Sequence, residues 1–246
     1  MRSVQDHYAN HLGAIYSWMS GGVEAALVRG GVELDALQIQ SSGGGRAVDL
    51  GAGFGMHSIP LARRGFSVLA IDSSSELLRE LVGHAGVLPI QIVHGDLLGF
   101  RDHLKAEPDA VFCMGDTLAH LPSLQAIELL IADVAAALRD GGVFVLTFRD
   151  YSAALTGEQR FIPVRSDAER ILTCFLEYED AHVTVHDLLH EREGARWELR
   201  VSSYRKLRLA PEWVCGALVA RGFEVRREAG LGGMIRLAAR RIPSVQ

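Results

Sequence analysis

The run Ala47-Val48-Asp49-Leu50-Gly51-Ala52-Gly53-Phe54-Gly55 constrains this chain more than any other stretch. Residues 47–50 read as a strand buried on both faces. The strand enters three alternating glycines, and residues 57–64 then read as a helix closed by Gly65. Glycines at such a turn let the backbone reverse sharply and let a ligand approach the main chain. A phosphate cradle needs a lysine and a hydroxyl after the glycines, and here Met56 and His57 follow. A dinucleotide fingerprint reads G-x-G-x-x-G, and Met56 stands at its third glycine. An acid, Asp49, precedes the first glycine. A carboxylate there repels a pyrophosphate and attracts an amino group or a sulfonium.

Around this loop, strand and helix alternate. Strands are expected at 67–71, 89–93, 110–114 and 143–148, and helices at 74–82 and 123–139. Residues 223–227 and 234–239 add two more strands, after a helix that opens at Pro211 and closes at Gly222. This predicts an α/β fold, doubly wound, with a mostly parallel seven-stranded sheet. The chain before it, from about Asp6 to Leu37, reads as helical. Residues 160–209 differ: they alternate with period two and show no helix. Trp197, Leu199, Val201, Ser203 and Leu207 point one way, and Arg196, Glu198, Arg200, Ser202 and Tyr204 the other, which predicts an antiparallel sheet with one dry face. The expected organisation is a helical cap at 1–40, a main domain at 41–159 and 210–246, and an antiparallel insertion at 160–209 after the fifth strand.

Composition narrows the function. A chain of 246 residues with net charge −5 lacks the positive footprint of a nucleic-acid binder. The basic stretches Arg205, Lys206, Arg208 and Arg236, Arg240, Arg241 read as solvated faces. Three cysteines, Cys113, Cys174 and Cys215, form no pair motif and fit a reducing, cytoplasmic compartment. No apolar run is long enough to span a membrane, and the N-terminus shows no apolar signal core. His182, His186 and His190 share one face of a strand, about 13 Å apart in steps of four residues, too far for one zinc site. No metal is expected.

Two further acids end predicted strands. Asp72 closes the second, where an acid accepts both hydroxyls of a ribose. Asp96 closes the third, within reach of an adenine amino group. Each also has a plain structural reading, Asp72 as a helix cap and Asp96 as a turn residue. Taken together, the acids at strand ends describe a crevice for a nucleoside that bears an amino acid and no phosphate.

On these residues the chain resembles class I S-adenosylmethionine-dependent methyltransferases. Residues 49–55 match their D-x-G-x-G-x-G loop, Asp72 their ribose acid and Asp96 their adenine acid. Cys113-Met114-Gly115-Asp116-Thr117-Leu118-Ala119-His120-Leu121 resembles the G-N-[ST]-x-x-H-L form of glycine/sarcosine-type small-molecule methyltransferases, with Asp116 at the asparagine. The resemblance implies a Rossmann-like fold and S-adenosyl-L-methionine as cofactor, converted to S-adenosyl-L-homocysteine. It implies cofactor contacts at Tyr16, Asp49, Gly51, Ala52, Gly53, His57, Asp72, Ser73, Asp96, Leu97, Met114 and Gly115.

Methyl transfer is an in-line displacement, governed by orientation and the exclusion of water. It needs no catalytic triad, and none is found. The catalytic group is unassigned, with His120, Arg149 and Tyr151 as candidates. These three, with His186, Arg200 and Tyr204, are the expected substrate contacts, and Arg149 suits a substrate carboxylate. The D/N-P-P-[YF] segment of enzymes acting on planar exocyclic amines is absent. A small soluble acceptor is expected, methylated on nitrogen, with no nucleic acid or membrane partner and a homodimer left open. The alternatives are an NAD-dependent oxidoreductase and a non-catalytic S-adenosylmethionine-binding protein.

Overall fold

A computed structural model describes residues 4–41 and 43–243; the ends of the outer ranges predicted above, 1–3 and 244–246, lie outside the described residues. Five parallel strands come first: β1 (Gly45–Leu50), β2 (Phe66–Asp72), β3 (Ile90–His94), β4 (Ala110–Cys113) and β5 (Val143–Phe148). Four antiparallel strands follow: β6 (Phe161–Ser166), β7 (Arg170–Tyr178), β8 (His182–Glu193) and β9 (Arg196–Leu207). The chain then returns to the first sheet with β10 (Phe223–Ala229) and β11 (Ile235–Arg241). The seven-stranded order is β10-β11-β5-β4-β1-β2-β3, with β11 antiparallel to both neighbours.

The order reverses between β1 and β4, and open α/β sheets bind ligands at such a switch point. Ala47–Leu50 of β1 are all buried, because helices cover both faces. The helices are α1 (Val4–His7), α2 (Tyr16–Met19), α3 (Val23–Ala36), α4 (Ser58–Arg63), α5 (Ser75–Ala85), α6 (Leu124–Ala137) and α7 (Pro211–Val219). Ser74 and Ser123 cap α5 and α6, each hydroxyl accepting a backbone N–H of the first turn. The helical run expected from Asp6 to Leu37 is broken. Gly21 and Gly22 take positive φ of +88° and +89°, and wide and tight turns separate α1 from α2.

The second sheet corrects one reading. Trp197, Leu199 and Val201 do not form a dry face: they are 47%, 51% and 55% exposed. The buried row of β9 is the polar one, Ser202, Tyr204 and Lys206, and Leu207 alone of the apolar row is buried. The buried apolar residues on this side come from β7 and β8, with Leu172, Leu176, Val183, Val185 and Leu189. Polar residues sit inward on β9 because partners meet them. His7 of α1 bonds Ser202 Oγ at 2.9 Å and Asp187 Oδ2 at 3.0 Å. Lys206 Nζ donates to Asp116 Oδ2 at 2.5 Å, joining the second sheet to the end of β4.

Lys206 and Asp116 are both buried, so neither charge is supported without the other. Lys206→Met is expected to cost about 3–5 kcal/mol in urea unfolding. The double change Asp116→Asn/Lys206→Met, which strands no charge, is expected to cost clearly less. Equal losses would show that the pair is not coupled.

Candidate active site

The glycine loop after β1 adopts a shape that only glycine fits. Gly51, Gly53 and Gly55 have φ of +76°, +53° and +97°. A Cβ at Gly51 would stand 2.5 Å from the Thr117 side chain, and one at Gly55 would stand 2.4 Å from Leu81. The loop is tied down by Gly51 and Ala52, whose N–H groups donate to the Ile71 carbonyl at 2.9 and 3.0 Å. Gly53 N–H donates to Asp72 Oδ2 at 2.8 Å, and Ser74 N–H to Asp72 Oδ1 at 2.7 Å. Two backbone donors therefore hold the carboxylate at the tip of β2. Burial raises its pKa, and these donors oppose the rise.

A cavity of about 290 Å³ opens beyond the C-terminal ends of β1–β4. Gly51, Asp72, Ser73, Asp96 and Leu97 line it, together with Thr117, His120, Tyr8, Val4 and Gln5. Asp96 also caps the turn after β3, its Oδ1 accepting Leu98 N–H at 2.9 Å. Asp72 and Asp96 thus combine their structural readings with a place in the cavity wall.

Other predicted contacts stand elsewhere. Asp49 does not face the cavity: it is buried under the loop and accepts the Ser58 hydroxyl at 2.6 Å. Strand alternation aims it at α4. His57 is likewise turned away, bonding Glu33 at 3.0 Å. Ala52 and Met114 are packed in the core. Gly115 is not a lining residue of the cavity; it takes φ +72°, and its N–H donates to Thr147 Oγ1 at 2.7 Å. Tyr16 sits behind Tyr8, with ring centroids 5.7 Å apart.

Arg149 is not in the wall, since its guanidinium donates to the Gly232 carbonyl at 2.9 Å. Tyr151 is buried with Leu176, Val183 and Val185. His186 lies on the outer face of the second sheet, bonding Glu177 at 2.5 Å, because β8 pairs Val185 and not His186 with Tyr204. Arg200 pairs with Glu191, well exposed. Tyr204 is close to the site without lining the cavity: it stacks on His120 at 5.5 Å and 18°.

His120 lines the cavity, and its Nδ1 is buried without a hydrogen-bond partner. Burial holds its pKa well below the ordinary imidazole value, and Lys206 and then His7 push it the same way. Burial, with Tyr16 nearby, holds the Tyr8 hydroxyl well above its ordinary value, so it stays protonated. Sequence reasoning missed Thr117 as a wall residue, and it misread Lys206. Lys206 is not part of a solvated stretch, although Arg205 pairs with exposed Glu179. Its place in the Ser202–Tyr204 row was the available signal. Among the described residues, no three metal-ligating side chains come together. Nor is any helix there long and apolar enough to cross a membrane.

Residues 47–142 match the family model of a methyltransferase domain. A glycine/sarcosine N-methyltransferase from Aphanothece halophytica is 30% identical over 119 residues, covering 48% of this chain and 45% of that protein. A mouse glycine N-methyltransferase is 28% identical over 134 residues, covering 45% and 42%. The chain thus spans less than half the length of these relatives. Among solved structures, an S-adenosylmethionine-dependent methyltransferase from Clostridium acetobutylicum aligns over 94% of this chain and 97% of its own, with TM-score 0.73 and 14% identity. An amino pentose methyltransferase from Micromonospora echinaspora, solved with S-adenosylmethionine bound, aligns over 93% and 95%, with TM-score 0.76 and 19% identity. The fold is that of the class I S-adenosylmethionine-dependent methyltransferases. The glycine loop and the β1–β4 crevice lie within the matched methyltransferase domain.

His120 makes stability depend on pH. Its folded pKa is depressed, so the unfolded chain binds more protons and acid favours unfolding. The melting temperature is expected to fall as pH drops through about 6.5, the ordinary imidazole value. His120→Asn is expected to shallow that fall in scanning calorimetry. An unchanged slope would contradict the burial of a neutral ring.

Proposed function

We propose that this chain transfers the methyl group of S-adenosyl-L-methionine to the nitrogen of a small-molecule amine. One observation carries the reading: Asp72, Asp96, Gly51 and His120 line a single cavity at the switch point of the sheet. The donor set fits the cofactor. Asp72 has both oxygens fixed and faces the cavity, which suits two ribose hydroxyls. Asp96 suits the adenine amino group and Leu97 its ring. Gly51 presents bare backbone to the cavity, which suits the amino-acid end. When bound, the cofactor supplies a methyl group activated by a positive sulfur.

The chain's own residues supply placement. His120 accepts an N–H of the amine and directs its lone pair. Tyr8, Val4 and Gln5 line the cavity and exclude water. Thr117 is fixed by its hydroxyl, which donates to the Met114 carbonyl at 2.7 Å. Nitrogen as the acceptor atom is supported by the relatives, which are named as glycine and sarcosine N-methyltransferases. A reducing, cytoplasmic setting is supported by the free Cys113, Cys174 and Cys215.

The test is transfer of labelled methyl from S-adenosyl-L-methionine to a panel of amines, amino acids, amino sugars, phenols and thiols. At least one amine is expected to be methylated on nitrogen. His120→Ala is expected to lower kcat about 10²-fold, as misplacement of a reacting group does. Transfer only to oxygen or sulfur, or to nothing, would overturn the reading.

A further inference from the structure

β9 forms one edge of the second sheet, whose order is β6-β7-β8-β9. An edge strand carries a row of unpaired N–H and C=O groups that another strand can use. Which residues carry them follows from the ladder. Arg208 N–H donates to the Ala181 carbonyl at 3.0 Å, just beyond the last β8–β9 pair, His182 with Leu207. Hydrogen-bonded pairs alternate along an antiparallel ladder. The even residues of β9 therefore bond β8, and Trp197, Leu199 and Val201 turn their backbone groups to the free edge. The β7–β8 ladder agrees. Arg192 N–H donates to the Glu169 carbonyl and Glu179 N–H to that of His182, so the even residues of β8 face away from β9. Residues 196–201 are exposed one after another, so among the described residues nothing covers this half of the edge.

The side chains along the open edge are self-complementary. A two-fold axis perpendicular to the sheet keeps each face on its own side, so odd residues meet odd and even meet even. With the axis at Leu199, Trp197 meets the partner's Val201 and Glu198 meets the partner's Arg200, each contact occurring twice. An axis at Glu198 or at Arg200 would oppose like charges instead. Within one copy Glu198 is poorly served. It stands directly opposite Glu191 of β8, and Arg200 gives its guanidinium to Glu191. Among the described residues no hydrogen bond or ion pair engages Glu198. The apolar face continues inward from the edge. Leu188 lies opposite Val201, and exposed Ile171 lies in the row of Leu199.

We propose that β9 pairs antiparallel with β9 of a second copy, centred on Leu199, joining two four-stranded sheets into one of eight strands. The pairing gives the edge backbone groups of Trp197, Leu199 and Val201 their partners and gives Glu198 a cation. It also removes an exposed apolar edge, which invites uncontrolled association. The contact spans residues 196–202 of each copy, at the small end of interface sizes, so the dimer is expected to dissociate on dilution.

The test is sedimentation velocity of the full chain over a wide range of concentration. Wild type is expected to pass from monomer to dimer as concentration rises. Glu198→Arg and Arg200→Glu each oppose like charges at two places, and each is expected to weaken the dimer at least about tenfold. Mixed in equal amounts, the two variants restore opposite charges at both places, and a dimer with one copy of each is expected. Leu199→Pro removes an N–H that β8 does not use, so it is expected to stay folded and monomeric. Circular dichroism checks the folding of each variant. Amide hydrogen exchange at Trp197, Leu199 and Val201 is expected to slow as the wild-type concentration rises. Wild type that stays monomeric throughout, leaving the edge to a strand of some other protein, overturns the proposal. A dimer that survives both charge reversals does so too, as do variants that fail to associate on mixing and exchange that ignores concentration. None of these readouts needs cofactor or methyl transfer, so their failure is distinct from failure of the N-methylation reading.

Discussion

The Asp72 carboxylate cannot turn away from the crevice. Gly53 and Ser74 hold one oxygen each through backbone N–H groups, and those groups exist because the loop has left-handed glycines and α5 has its serine cap. Burying a carboxylate is costly unless it is hydrogen-bonded, and here the main chain meets that need. The acid is fixed before any ligand arrives, so the ordering of its side chain is already done on folding. The same loop leaves the backbone bare at Gly51, where any side chain would strike Thr117. One short segment therefore places an anion and packs closely against Thr117 of the cavity wall.

The part of the cavity wall that carries Thr117 and His120 depends on a second network. Asp116 joins the ends of β4 and β5 to β9 through the Arg149 N–H and the Lys206 ammonium. His7 joins α1 to β8 and β9 through Asp187 and Ser202. A four-residue helix such as α1 has little stability alone, so the second sheet is what keeps Val4, Gln5 and Tyr8 at the cavity. The insertion shapes the site mainly through the elements it anchors.

Much of this was legible in the residues. The strand–glycine–helix order marked the switch-point fold, and Asp72 and Asp96 were legible because one ends a strand and the other follows the next strand by two residues. Asp49 was not, because its proximity to the loop in sequence hides the strand alternation that aims it at Ser58. The face of His186 depends on the register of β8 against β9, which places Val185 opposite Tyr204. No pattern in a single strand fixes that register. Lys206 was hidden by its neighbours. Arg205 and Arg208 made the stretch look solvated, although period-two parity placed Lys206 with Ser202 and Tyr204. Its partner is Asp116, the residue that stands where the resembled family has asparagine.

Calorimetric titration with S-adenosyl-L-homocysteine tests the central claim most directly. Wild type is expected to bind, and Asp72→Asn to bind about ten- to a hundredfold more weakly, as loss of charge-assisted hydrogen bonds implies. Absence of binding to the folded wild-type protein would contradict the account, and so would equal affinity in the folded variant.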